Sequence, residues 1–400
     1  MDYISARDLL LSLTRPVGTE TVPLEDCAGR ILAWELTAAE NVPAFDRSPY
    51  DGYAFRASDS ASATPEAPVT LRVLEEIAAG AVPTMAVTGG TASKILTGAP
   101  IPPGADAVVM YEKTRFTHDT VTLLHPAKPG DNIVRVGEDV KQGQTLAPAG
   151  AVIDAGLAGT LASQGIASPE VFKKPVIGII STGNEVVEPC DMVPPGKIRN
   201  SNRYTLTAAL NGLGCKVSYF GIAGDDAERI ARLISIALDS CDAVILTGGV
   251  SAGDYDLTPE AMKLAGAELL VDGVAIKPGM ACTYGIRDGR LIYALSGNPA
   301  SSITNFYAVV MPSIRRLCGR LDALPAQVCV KLRDGFGKKS PSTRLLRGSL
   351  ELSGGELCMI LPQDQGNVVI SSTIGCNVMA IVPAGSGRLS PGTVLEGFLL

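Results

Sequence analysis

Histidine is nearly missing from this 400-residue chain: His118 and His125 are the two it has, close together in one segment and outside any motif. That leaves little basis for histidine acid–base chemistry or an imidazole-built metal centre. Aromatic residues make up 5 per cent of the chain, with one tryptophan, and none of the nine cysteines forms a C-x-x-C pair. An odd, scattered count does not describe a disulfide framework; thiols buried as small hydrophobes in a reducing cytoplasm fit it better. No run approaches the roughly 18 apolar residues of a membrane span. The first residues lack a basic stretch followed by an apolar one, so no secretory leader is expected. Positive charge is also short, 34 Lys and Arg against 41 Asp and Glu for a net −7, which argues against a general nucleic-acid or membrane-surface binder. G-x-G-x-x-G and G-x-x-x-x-G-K-[ST] are both missing.

What the chain does have is apolar material, 46 per cent of its residues, enough for two to four packed domains on the usual length prior. Residues 2–15 read as a helix opened by a Ser5/Asp8 capping box, and 25–39 as a second helical run. Residues 40–55, ENVPAFDRSPYDGYAF, hold too much Pro, Asp and Gly for regular structure and predict a long loop, either a connection between two domains or a functional one. From there to residue 135, short β-type runs such as 68–74, 86–88, 107–111, 114–117 and 120–124 predict a small, mostly antiparallel domain. Helical character returns at 151–165.

From Pro175 the pattern becomes strand, helix, strand: 176–180, 202–213, 216–222, 227–239, 243–246, 259–265 and 291–295, with a helix reaching Leu317. Such alternation implies a parallel sheet with helices on both faces. Residues 326–400 lack helical periodicity and read as a small β-barrel or sandwich. The fold class is thus multidomain, α+β together with α/β. The boundaries are 1–40 with 136–172 as a discontinuous N-terminal domain, 41–135 inserted, 173–322 and 323–400.

The chemistry should sit where the parallel strands end. Thr182 and Glu185, Asp225 and Asp226, Gly248 to Asp256 and Ser296 to Ser302 all fall there, and right-handed crossovers put those ends on one side. Gly248, Gly249 and Gly253 allow close backbone approach, Ser251 lies among them, and Ser296–Gly297–Asn298–Pro299 opens a helix suited to an oxyanion. Glu185, Asp225 and Asp256 would repel an anion unless an oxygen-ligand cation intervened, most simply Mg²⁺ shared with substrate phosphate. Lys277 can neutralise phosphate directly. The expectation is chemistry on a phosphorylated or nucleotidyl substrate.

PAFDRSPYDGYAF (43–55), TGAPIPPGADAVV (97–109), VGEDV (136–140), STGNEVV (181–187), TGGVSAGDYD (247–256), AIKPG (275–279) and SGNPAS (296–301) occur in one order over nearly the whole chain. In this the chain resembles the molybdopterin molybdenumtransferases, the MoeA family that includes the gephyrin E-domain. The resemblance implies Mg²⁺-dependent insertion of molybdate into adenylylated molybdopterin, with AMP released. It also implies a molybdopterin-binding α/β domain, a C-terminal β-barrel, and a cytoplasmic homodimer whose clefts combine residues of both copies. Asp51, Thr97, Glu185, Asp225, Asp256 and Lys277 carry over as catalytic positions. Arg347 carries over as an oxyanion- or pterin-steering residue, while Asp51 and Thr97 would close the cleft of the partner copy. Gly273 and Met280 stand where many members carry basic residues, which leaves molybdate and tungstate both open. The alternatives are the molybdopterin adenylyltransferase, which is also the expected partner enzyme, and a non-catalytic gephyrin-like scaffold.

Overall fold

The computed structural model describes residues 1–250, 257–353 and 355–400. They divide into two compact units, Met1–Trp34, Ala149–Ala158 and Ser168–Leu400 forming one, Glu35–Pro148 and Gly159–Ala167 the other. No helix among the described residues is long and apolar enough to cross a membrane.

Helix α1 (Tyr3–Leu13) begins one turn earlier than the predicted capping box. Asp2 is the N-cap, its carboxylate accepting from Ser5 N at 2.9 Å and from Ser5 Oγ at 2.6 Å. Buried Tyr3, Ala6 and Leu10 lie on one face, at the i, i+3, i+7 spacing of a docked helix. The predicted helix over 25–39 does not form. Only a single turn at Leu24–Asp26 is helical; Gly29 then adopts φ +73°, and Gly29 N and Leu32 N donate to Ile153 and Ala151 carbonyls. Its backbone bonds go to chain distant in sequence, so local propensity loses.

The second unit carries a six-stranded sheet of β1 (Gly52–Phe55), β2 (Val69–Ile77), β3 (Thr91–Ile95), β4 (Ala107–Met110), β5 (Thr114–Phe116) and β6 (Thr120–Leu123), ordered β4-β1-β3-β2-β6-β5. Only β2 and β3 pair in parallel. Two sequence expectations need correction: residues 52–55 are a fully buried strand rather than loop, and 86–88 form none, the strand lying at 91–95. A short α2 (Ala155–Ser163) follows.

In the first unit, β7 (Val176–Thr182), α3 (Asn202–Gly212), β8 (Lys216–Ala223), α4 (Ala227–Ser240), β9 (Ala243–Thr247), α5 (Thr258–Leu264), β10 (Glu268–Asp272), β11 (Cys282–Arg287) and β12 (Arg290–Leu295) form one sheet with its covering helices. The order is β8-β7-β9-β12-β11-β10. The first four strands are parallel, whereas β11 and β10 run antiparallel, so the sheet is mixed rather than wholly parallel. Alternate residues point to opposite faces. Ile177, Ile179 and Ile245 join one core with α1 and the helix of residues 299–317, while Ile180, Val244 and Leu246 join another under α4 and α5. Burial on both faces explains the unbroken apolar runs of these strands.

Residues 299–317 are α6 (Pro299–Asn305), a π-helical turn at Phe306–Val310, and α7 (Met311–Leu317). Pro312 has no N–H and would clash with the turn before it, and the wider turn accommodates this. A closed five-stranded barrel ends the chain: β13 (Gln327–Leu332), β14 (Arg344–Ser353), β15 (Glu356–Ile360), β16 (Val378–Val382) and β17 (Val394–Leu399), ordered β13-β15-β14-β16-β17. β13 also pairs with β17, which removes the exposed edges.

Candidate active site

The register aligns Thr182 with Ala223, Ser181 with Thr247, and Thr247 with Leu295, so the loops leaving these strands emerge side by side. They border a cavity of about 540 Å³ lined by Thr182, Glu185, Gly248, Gly249, Ser296, Gly297, Asn298 and Pro299. The structure adds Asn200 and Asn202, which sequence reading passed over as a plain helix start. Asn202, 8 per cent exposed, donates Nδ2 to Gly297 O at 2.8 Å, and its buried Oδ1 has no partner among the described residues. A buried acceptor left open on a cavity wall suits a ligand donor. Asn200 Nδ2 reaches Ser181 Oγ (3.0 Å) and Tyr219 OH (3.1 Å). Tyr219 in turn donates to Glu188 Oε1 at 2.7 Å, and burial with this bond pushes its hydroxyl up to about 12.

The two described glycines of the TGG loop have a reason internal to the protein. Gly248 sits at φ +102° and Gly249 at φ +64°. A Cβ on Gly248 would lie 2.5 Å from Thr182 Oγ1, and one on Gly249 2.6 Å from Thr258 Oγ1. Close approach is real here, but it is to neighbouring threonines. Ser251, Gly253 and Asp256, expected to complete this loop, lie outside the described residues.

A second cavity, about 600 Å³, shares Ser296 and Asn298 with the first and is lined further by Lys277, Ser301, Lys338, Arg344 and Asn367. None of the three cations forms an ion pair among the described residues. Lys277 is tied to the barrel through its backbone, Lys277 N to Thr343 O and Leu345 N to Lys277 O, both 3.0 Å. Arg344 is 8 per cent exposed; its Nε donates to Ser340 Oγ at 3.1 Å and its guanidinium lies 5.3 Å from the Phe336 ring centre. Burial pushes that guanidinium's pKa down. The helix start does not supply the positive field expected of it. Ala300 N (3.1 Å) and Ser301 N (3.3 Å) already donate to Asn367 O from the barrel segment. Cationic side chains supply that field instead, and two of them, Lys338 and Arg344, were invisible in sequence because they come from the C-terminal barrel.

Arg347, expected as a steering residue, lies apart from both cavities. It is 1 per cent exposed and lines neither cavity; it donates to Thr304 Oγ1 (3.3 Å), Gly366 O (3.2 Å) and Ser372 Oγ (2.9 Å). Asp225 stands beside the first cavity without lining it, accepting from Asn184 N at 3.4 Å while its own N donates to Asn184 Oδ1 at 3.3 Å. Among the described residues Glu185 and Asp225 have no basic partner, and their oxygens suit a hard divalent cation. Among the described residues, however, no three His, Cys, Asp or Glu side chains cluster to hold a metal. In the other unit, Thr97 donates both its N and its Oγ1 to Asp51 Oδ1 at 2.7 Å. Those bonds hold the Asp51 carboxyl below its ordinary range.

A carboxyl-edge cavity joined to a cationic one is the site of an α/β protein suited to an anionic ligand. Residues 178–316 match the model of the "probable molybdopterin binding domain", and residues 1–165 that of the MoeA N-terminal region (domain I and II). The molybdopterin molybdenumtransferase of Staphylococcus aureus strain Mu50 is 36 per cent identical over 376 residues, 94 per cent of this chain and 90 per cent of that one. That of Staphylococcus epidermidis strain ATCC 12228 is 34 per cent identical over 378 residues, with the same coverage. The crystal structure titled as the molybdopterin biosynthesis MoeA protein of Pyrococcus horikoshii OT3 superposes with a TM-score of 0.85 at 30 per cent identity, covering 100 per cent of both chains. The chain belongs to the molybdopterin molybdenumtransferase (MoeA) family, transferases of molybdenum cofactor biosynthesis.

Proposed function

We propose that this protein inserts molybdate into the dithiolene of adenylylated molybdopterin and releases AMP. The observation that carries this reading is the junction at Ser296 and Asn298 of two unlike cavities. One, with Glu185 and Arg199 both on its wall, is close to neutral and suited to a pterin nucleotide. The other holds Lys277, Lys338 and Arg344 without carboxylate partners, suited to a tetrahedral dianion. Their shared wall would bring oxyanion and dithiolene together, which is the positioning a transfer step needs.

Glu185, Asp225 and Asp256 are proposed to hold Mg²⁺. Bound there, the ion would neutralise the pyrophosphate charge that these carboxylates otherwise repel. Thr182, Gly248, Gly249, Ser251, Gly253, Gly297 and Pro299 would shape the pterin and phosphate seat. Asp51 and Thr97 are proposed to reach the cleft of a second copy, making the active unit a cytoplasmic homodimer. The four-part division at residues 41, 136, 173 and 323 is likewise a proposal, which limited proteolysis tests.

Purified protein with Mg²⁺ and molybdate should convert adenylylated molybdopterin to AMP and active cofactor. Accumulation of the adenylylated form from ATP would favour the adenylyltransferase instead, and tight binding without turnover would favour a scaffold.

A further inference from the structure

A third cavity, about 520 Å³, shares no lining residue with the two just described. It lies between α3, the helix of residues 299–317 and strands β14 and β16 of the barrel. Arg315, Arg320 and Arg347 all line it, and among the described residues no acidic side chain does. Arg320 is neutralised by a bidentate pair with Asp322, at 2.9 and 2.7 Å. Arg315 and Arg347 form no ion pair among the described residues, and the buried Nε of each has no hydrogen-bond partner.

Arg347 is the decisive group. A guanidinium 99 per cent removed from solvent and hydrogen-bonded to two hydroxyls and a carbonyl has no carboxylate ion-pair partner among the described residues. Burying a cation this way is unfavourable, and burial pushes its pKa down. An oxyanion entering the cavity would restore the balance, and planar guanidinium groups bind phosphate oxygens in pairs. The remaining wall is largely apolar, with Ile303 and Met379 among its residues. We propose that this cavity is a second anion site taking phosphate, free or as a small monoester, with its oxygens on Arg347 and Arg315.

Cys376, half-buried on the same cavity wall, gives a local readout, and the other eight cysteines serve as internal controls. The full chain is alkylated with iodoacetamide, with and without inorganic phosphate, and the Cys376 peptide is quantified by mass spectrometry. Phosphate at about ten times its Kd should slow Cys376 alkylation roughly tenfold. Arg315→Gln should remove that protection and Lys277→Gln should keep it. Phenyl phosphate protecting at lower concentration than inorganic phosphate would identify a monoester ligand; equal concentrations would identify the free ion. Unchanged Cys376 alkylation at tens of millimolar phosphate overturns the proposal, as does protection that survives Arg315→Gln. The wild-type comparison decides even if the variant does not fold.

Discussion

Arg344 and Arg347 sit three residues apart on β14 and serve different cavities. Side chains alternate along a strand, so an odd spacing sends them to opposite faces. Leu345 and Arg347 accordingly face the α/β body, while Leu346 enters the barrel core and Arg344 lies over Phe336 at its rim. Of these two arginines it is therefore Arg344 that shares a cavity with Lys277 and Lys338.

Arg347→Met removes three hydrogen bonds and leaves Gly366 O and Ser372 Oγ without that donor. The expected loss of stability is about 3 kcal/mol in urea unfolding. The molybdate concentration for half-maximal AMP release should not change in the protein that remains folded. A large rise in that concentration would return Arg347 to the site.

Asp51 offers a titration test. Because hydrogen bonds from Thr97 lower its folded-state pKa, the associated stability is present above the ordinary carboxyl pKa and is lost as pH falls through the lowered value. In Thr97→Val the side-chain bond goes, and the Asp51 pKa read by NMR should rise towards the ordinary range. An unchanged pKa would show that the backbone N–H alone sets it.

The TGG loop predicts intolerance without any ligand. Gly249→Ala places a methyl 2.6 Å from Thr258 Oγ1 at φ +64°, so it should destabilise by about 1–3 kcal/mol. Chemical denaturation of the ligand-free protein measures this. Wild-type stability would mean that the glycine serves the substrate rather than the fold.

Subunit sharing makes a quantitative prediction. Asp51→Ala and Asp225→Ala should each be inactive. After mixing with chain exchange, half the dimers are mixed and each holds one intact cleft, so activity should recover to about a quarter of wild type. No recovery after proven exchange would place both residues in one copy's cleft.

The parallel strands and the barrel were legible because their signals are local: β-branched runs closed by Gly, Pro and Asp, and a region with no helical period. The failures were tertiary. Residues 25–39 look helical until Gly29 and Leu32 spend their N–H groups on the 151–153 segment. The start of α6 looks like a phosphate cradle until Asn367, 66 positions on from Ser301, takes its N–H groups. Motif spacing located Glu185, Gly248 and Ser296 on one cavity. It could not reveal Asn202, Lys338 or Arg344, which enter through folding and stand in no recognisable pattern.

The most direct measurement is AMP release from adenylylated molybdopterin, titrated with molybdate, in wild type, Lys277→Gln and Arg344→Gln. Losing one charge-assisted contact of about 1.5–3 kcal/mol should raise the half-saturating molybdate concentration roughly ten- to a hundredfold in each variant. Molybdate curves that superimpose on wild type in both would contradict the placing of the oxyanion between Lys277 and Arg344.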